Sequence, residues 1–191
     1  MSSMVKTLPA RHLLTVIDYH RMGETGILRP DARVELIEGE IIDMAPIGSR
    51  HAGTVEQVAR ILHRAAGEHF MIRTQQPISL GEHSEPEPDI AVVLPRGDYY
   101  KMRHPVPTDV LLIIEVSGAS LRYDHDVKMP LYAKHGIPEA WVIDLEHRQL
   151  TRYNDPRAGV YATVDAPRSD PTIAPRLLPE IRLDLSAVFA E

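Results

Sequence analysis

Residues 110–117 read Val-Leu-Leu-Ile-Ile-Glu-Val-Ser, and what this run becomes decides the fold. It is too short for a helix of its own and rich in branched side chains. That predicts a central strand buried on both faces. Strand side chains alternate, so Leu111, Ile113, Glu115 and Ser117 share one face. Glu115 therefore stands in line with apolar neighbours. A carboxylate there is costly unless it is paired, hydrogen-bonded or bound to a metal. The plainer reading is a glutamate near a strand end that reaches water or an arginine. Just upstream, residues 85–93 read Glu-Pro-Glu-Pro-Asp-Ile-Ala-Val-Val, with Asp89 opening an apolar strand behind Pro88. Two acids at the ends of neighbouring strands can converge on one hard cation. Magnesium suits such a pair, because it takes one or two protein carboxylates and completes its shell with water and phosphate oxygens. The plainer role for Asp89 is a turn-forming aspartate after proline.

Outward from this pair, the chain alternates helix and strand signals. Residues 124–136, DHDVKMPLYAKHG, predict a helix ending at Gly136. Pro130 requires either that this helix starts just before it or that it kinks there. EAWVIDL (139–145) is the next strand. QLTRYND (149–155) and GVYATVDA (159–166) look like a further pair, and RLLPEIRLDLSAVF (176–189) a closing strand with a short final helix. Upstream, Val55, Val58, Leu62, Ala65 and Ala66 recur at helical spacing, which predicts a helix over about residues 50–68 with Ser49 as N-cap. MIRTQQPISL (71–80) reads as a strand. RVELIEGEIIDM (33–44) reads as two short strands turning at Glu38-Gly39. Thr15-x-x-Asp18 has the capping-box spacing ahead of a short helix. The order predicts an α/β (α+β) domain built on one central mixed sheet flanked by helices. Residues 1–30 are expected to form an N-terminal helical extension packed on a single domain over 31–191.

The chain has 191 residues, 43% of them hydrophobic, which suits one globular domain with a real core. It has no cysteine, so disulfides and thiolate zinc sites are excluded and a reducing compartment is compatible. The N-terminal residues lack an unbroken apolar stretch of the signal-peptide kind. No apolar run approaches the roughly 18 residues of a membrane span. A cytoplasmic protein without a membrane partner is the expectation. The formal charge is −6, which argues against a simple nucleic-acid coat. It leaves room for an enzyme acting on phosphodiesters, whose metal-holding carboxylates are locally acidic and whose basic contacts sit on a rim. The lysines are Lys6, Lys101, Lys128 and Lys134.

The stretches EPEPDIAVV, LLIIEVSGAS, DHDVKMPLYAKHGIPEAWVID and VELIEGEIIDM together resemble the Uma2 family of restriction-endonuclease-type proteins. That family belongs to the PD-(D/E)XK nuclease superfamily. The similarity runs roughly from Val34 to Asp144 and keeps the order of motifs. Its most specific part is K-x-x-x-Y-A-x-x-G-I-P-E-x-W-V-I-D, from Lys128 to Asp144. Ala140 stands where the family usually carries an aromatic residue, which is a packing difference.

The resemblance implies a restriction-endonuclease-like core and metal-dependent hydrolysis of DNA. Asp89 and Glu115 would hold one Mg²⁺ or Mn²⁺, with the carbonyl of Val116 as a third ligand. The superfamily lysine normally follows the glutamate by two residues, and Ser117 holds that place. Lys128 matches the position to which the family's lysine has moved, with Lys134 as runner-up. The geometry permits the move: a helix folding back on the strand brings both to similar height, and lysine's flexible stem spans the remainder. The plain alternative is a solvated lysine on a helix surface. The family match also picks Glu35, rather than Glu38 or Glu40, as a further acid at the site. The alternative there is a surface hairpin glutamate. His51 matches a family position at the start of the long helix and could bind water or buttress Glu35. It could also be an ordinary helix-start histidine. His51, His63 and His69 do not have the spacing of a zinc site. Capping the helix is the expected job of Asp124 and Asp126, although one of them could pair with Lys128. Tyr132, Ile137 and Trp141 are expected in the core. A homodimer is expected, since duplex cleavage commonly uses two subunits and symmetric dimers are the commonest assembly. The rival reading is a nuclease-fold module that binds DNA or protein without turnover.

Overall fold

The computed structural model describes residues 10–167 and 172–190. Residues 1–9, with Lys6 and the start of the expected N-terminal extension, lie outside the described residues. Helix α1 (Val16–Glu24) is opened by the predicted capping box. Thr15 Oγ1 accepts from the Asp18 amide at 3.1 Å, and Asp18 Oδ2 accepts from the Thr15 amide at 3.0 Å. Strands β1 (Val34–Ile37) and β2 (Glu40–Asp43) form an antiparallel hairpin in which Ile37 pairs with Glu40. Its two turn residues, Glu38 and Gly39, both have positive φ, of 48° and 81°. This is the tight-turn geometry that matches strand twist. Gly39 is also required by space, because a Cβ there would meet the Leu13 Cβ at 2.6 Å.

Helix α2 (Ser49–Ala66) shows the predicted apolar stripe, with Val55, Val58 and Leu62 buried. Ser49, expected to cap it, is its first helical residue. The cap position belongs to Gly48, and no side chain bonds there. The expected strand over 71–80 is shorter, because β3 (Met71–Thr74) ends where Gln75 turns to a φ of 49°. Ile78 and Leu80 still bury, but in a loop held by bonds from their amides to the carbonyls of Pro86 and Ser84. Strands β4 (Ile90–Val93) and β5 (Val110–Ser117) follow.

The next helix is interrupted. Helix α3 (Leu121–Tyr123) passes into a π-helical turn (Asp124–Lys128) and then into α4 (Met129–Lys134). The Met129 amide donates to the Asp124 carbonyl, five residues back. The wide turn resolves the Pro130 question: the proline sits in the first turn of α4, where its missing amide and fixed φ are tolerated. Strands β6 (Glu139–Asp144), β7 (Gln149–Arg157) and β8 (Val160–Asp165) follow. β9 (Thr172–Ile173) and β10 (Leu183–Asp184) pair with each other, and α5 (Leu185–Val188) follows directly.

The main sheet has the order β3-β4-β5-β6-β7-β8. Only β5 and β6 run parallel, joined by the α3–α4 crossover; the other pairs are antiparallel. One face packs α2 and the C-terminal segment against Ile90, Leu112, Ile114, Trp141 and Ile143. The other packs α4 against Ala91, Ile113, Ala140 and Val142. β5 is thus covered on both sides, as its uninterrupted apolar run predicts. Trp141 and Ile137 are fully buried, as expected. Trp141 Nε1 donates to Glu139 Oε1 at 2.6 Å, and Glu139 Oε2 accepts from the Arg176 amide at 2.7 Å, so this buried acid is satisfied.

Ile114 lies at the centre of the α2-facing core. Ile114→Ala should lower unfolding stability by about 2–5 kcal/mol, read from the urea midpoint. A loss below about 1 kcal/mol would mean that the site collapses around the missing atoms.

Candidate active site

The ladder between β4 and β5 aligns Ile90 with Ile114. Asp89, one residue before Ile90, therefore lands beside Glu115. Each carboxylate accepts from a backbone amide of the other segment. The Asp89 amide donates to Glu115 Oε2 at 3.3 Å, and the Val116 amide donates to Asp89 Oδ2 at 2.9 Å. His51, in the first turn of α2, adds its Nε2 at 3.0 Å from the same Asp89 oxygen. It supports Asp89 rather than Glu35. Gln75 Nε2 reaches Asp89 Oδ1 at 3.5 Å.

Lys128 comes from the π-turn and is buried. Its Nζ lies 3.2 Å from Glu35 Oε2 and 3.3 Å from Glu115 Oε1. It is not a solvated surface lysine. Glu35 on β1 is likewise buried, and its Oε2 also accepts from the Glu87 amide at 3.2 Å. The runner-up, Lys134, pairs with Glu38 at the surface. Asp89, Glu115, Lys128, Glu35 and His51 all line one pocket of about 700 Å³. Ser117 is fully buried behind it, and its Oγ donates to Asp124 Oδ2 at 2.6 Å.

Two side chains were given other roles by sequence reasoning. Asp124 was expected to cap the helix. Instead it turns into the pocket, buried, and accepts from Ser117 and from Ser120 Oγ at 2.8 Å. Asp126 also caps nothing; it pairs with Arg122 at the surface. Tyr132 is core, as expected, but its hydroxyl donates to Glu115 Oε1 at 2.5 Å. Glu87 lines the pocket too. The alternating acids of Glu-Pro-Glu-Pro-Asp were a signal for Glu87. None existed for Asp124, whose direction depends on the π-turn.

The electrostatics follow from burial. Burial pushes Glu115 up to about 8, against the opposing charge of Lys128, while Asp124 and Asp89 push it further up. Burial alone would lower Lys128, but Glu115, Glu35, Asp124 and Asp89 outweigh it and raise it, so the lysine stays charged. Burial also raises Asp124 against Lys128, and raises Glu87 with help from Glu35. The hydrogen bond to Asp89 raises His51 despite burial. Five acids, Glu35, Glu87, Asp89, Glu115 and Asp124, therefore line this pocket with one buried ammonium. Such an all-oxygen, acid-rich donor set fits a hard divalent cation, which adds the missing positive charge.

Residues 16–186 match the Uma2 family, described as "Putative restriction endonuclease". Among solved structures the chain is similar to "a putative nuclease belonging to DUF820" from Anabaena variabilis ATCC 29413. The two are 16% identical with a TM-score of 0.69, over 92% of this chain and 97% of that one. No curated protein matches the chain.

Removing the ammonium alone leaves two buried carboxylates unpaired. Lys128→Met should cost about 3–5 kcal/mol of stability in chelator. Adding Glu115→Gln should restore part of that loss, and the coupling is measured by a double-mutant cycle in urea. Additive costs would show that Lys128 and Glu115 do not interact.

Proposed function

This chain belongs to the Uma2 family, and from that premise we propose that it is a metal-dependent endonuclease hydrolysing DNA phosphodiester bonds. The observation that carries the reading is the buried Lys128 ammonium within 3.3 Å of Glu115, which in turn bonds the backbone of Asp89. Asp89 and Glu115 stand at adjacent strand ends, and the lysine reaches Glu115 from the crossover helix. Asp89, Glu115 and the carbonyl of Val116 would hold one Mg²⁺ or Mn²⁺. When bound, the ion would polarise the scissile phosphate and acidify water. Lys128 orients the attacking water and offsets negative charge as the phosphorane-like transition state forms. Glu35 fixes Lys128 and is the candidate ligand for a second ion or its outer-shell water. Tyr132 and His51 hold the Glu115 and Asp89 carboxylates in place, and Ser117 and Ser120 hold Asp124. Arg33 and Arg50 line the same pocket and supply a basic rim for the DNA backbone.

The chain reads as one nuclease-like domain over 31–191, with residues 1–30 as an extension. The described part of that extension is tied down by Tyr19 Oη donating to the Val34 carbonyl and by the Val16 amide donating to the Glu82 carbonyl. Among the described residues no helix is long and apolar enough to cross a membrane. A cytoplasmic homodimer acting on duplex DNA is the working assembly.

The test is plasmid nicking with Mn²⁺ or Mg²⁺, run beside Asp89→Ala and Lys128→Ala. Wild type should nick. Each variant should fall by about 100-fold or more, and chelator should abolish activity. Activity that survives both substitutions would sink the assignment. Metal-independent DNA binding without nicking would instead favour the non-catalytic module.

A further inference from the structure

Away from the carboxylate pocket, three side chains from distant parts of the sequence meet at the base of α1. They are His20 on α1, Glu85 in the segment that leads to β4, and His104 in the loop between β4 and β5. One ligand atom from each lies within 4.8 Å of the other two. Among the described residues this is the one such group of three histidine or acidic side chains. None of the three lines the 700 Å³ pocket. We propose that His20, Glu85 and His104 form a second metal site, for a zinc-type transition-metal ion that fastens α1 to the core.

The donor chemistry separates this site from the first. Two imidazoles and one carboxylate suit zinc, cobalt or nickel, whereas an all-carboxylate shell suits magnesium or manganese. Three protein ligands with a fourth position left to water make a complete tetrahedral set. The geometry is close to closing. A tetrahedral ion holds such donors about 3.4 Å apart. His20 Nε2 and Glu85 Oε1 are now 2.6 Å apart, as a hydrogen-bonded pair, and need only part slightly to admit the ion.

Two features are not explained by that pair alone. Glu85 is only 4% exposed, and a buried carboxylate calls for a full counter-charge. His104 Nδ1 is buried without a hydrogen-bond partner, which is costly for a ring nitrogen. A bound cation would supply the counter-charge to Glu85 and take one ring nitrogen of His104. His20 is half-exposed and leaves the solvent side open for the water ligand.

The location gives the ion a job. Helix α1 has no fully buried residue, so apolar packing contributes little to its anchorage. The Glu85 amide donates to the Leu36 carbonyl at 2.7 Å, and Leu36 neighbours Glu35 on β1. An ion on Glu85 therefore braces both α1 and the strand that carries Glu35.

The experiment uses untagged full-length protein, stripped with chelator, carrying Asp89→Asn and Glu115→Gln to remove the carboxylate pocket. Zn²⁺ is titrated by calorimetry and Co²⁺ by visible absorption. The expected result is one Zn²⁺ per chain, with the visible d–d bands of four-coordinate Co²⁺. Zn²⁺ at a hundredfold excess over its Kd should raise Tm by about 5–10 °C. Introducing His20→Ala or His104→Gln should weaken binding by at least about 100-fold, since losing a ligand exceeds the loss from an outer-shell partner. His20→Ala changes a half-exposed position, so it stays informative if His104→Gln misfolds. The proposal is overturned if no stoichiometric Zn²⁺ binds. It is equally overturned if binding survives His20→Ala, in which case the ion is held elsewhere.

Discussion

The Lys128 ammonium lies between two buried carboxylates, 3.2 Å from Glu35 and 3.3 Å from Glu115. Those three residues come from the N-terminal hairpin, the central strand and the crossover connection. One cation thus joins three elements that the main-sheet hydrogen bonds do not connect. Its energetics are conditional. A buried charge is costly alone, and each carboxylate is costly without it. Hydrogen bonds from Tyr132 and from the amides of Glu87 and Asp89 complete the acids' shells. The surplus of acid over base in the pocket remains, and that imbalance makes the site receptive to a divalent cation.

The π-turn is what allows the lysine to take part. A regular α-helix through residues 124–134 would place Pro130 in its interior, where the ring clashes with the preceding turn. Widening the turn over Asp124–Lys128 lets α4 start at Met129 and leaves the proline in a first turn. Both Asp124 and Lys128 are then buried on the inner side. Such single wide turns are often found at functional sites. Here a backbone irregularity brings Lys128 to Glu115, on a strand that carries no lysine of its own. Ser117, at the expected lysine position, becomes a hydrogen-bond donor to Asp124 instead.

Much of this was readable in the sequence, for local reasons. The apolar run of β5, the stripe of α2 and the Thr15 capping box each follow from short-range periodicity or spacing. The convergence of Asp89 and Glu115 followed from two acids at ends of adjacent apolar strands. The selection of Lys128, Glu35 and His51 needed the family resemblance, because their spacing alone does not distinguish them from surface residues. Asp124 was misjudged because a helix-start aspartate ordinarily caps, and only the π-turn rotates it inward. The short β3 was misjudged because Ile78 and Leu80 are buried by a loop, which leaves the same apolar signal as a strand.

Local sequence therefore sets which segments bury, in what period, and where acids interrupt apolar strands. It also determines that the chain can make no thiolate site. Which residues meet is set by the packing of the elements. The three ligands of the His20–Glu85–His104 cluster carry no mutual spacing signal, and neither do Lys128 and Glu35. Their encounters depend on the hairpin, the crossover and α1 docking on one side of a finished sheet. Periodicity reports the environment of each residue along its own element. The partner of a buried charge is set by how the elements pack, and no local pattern encodes that.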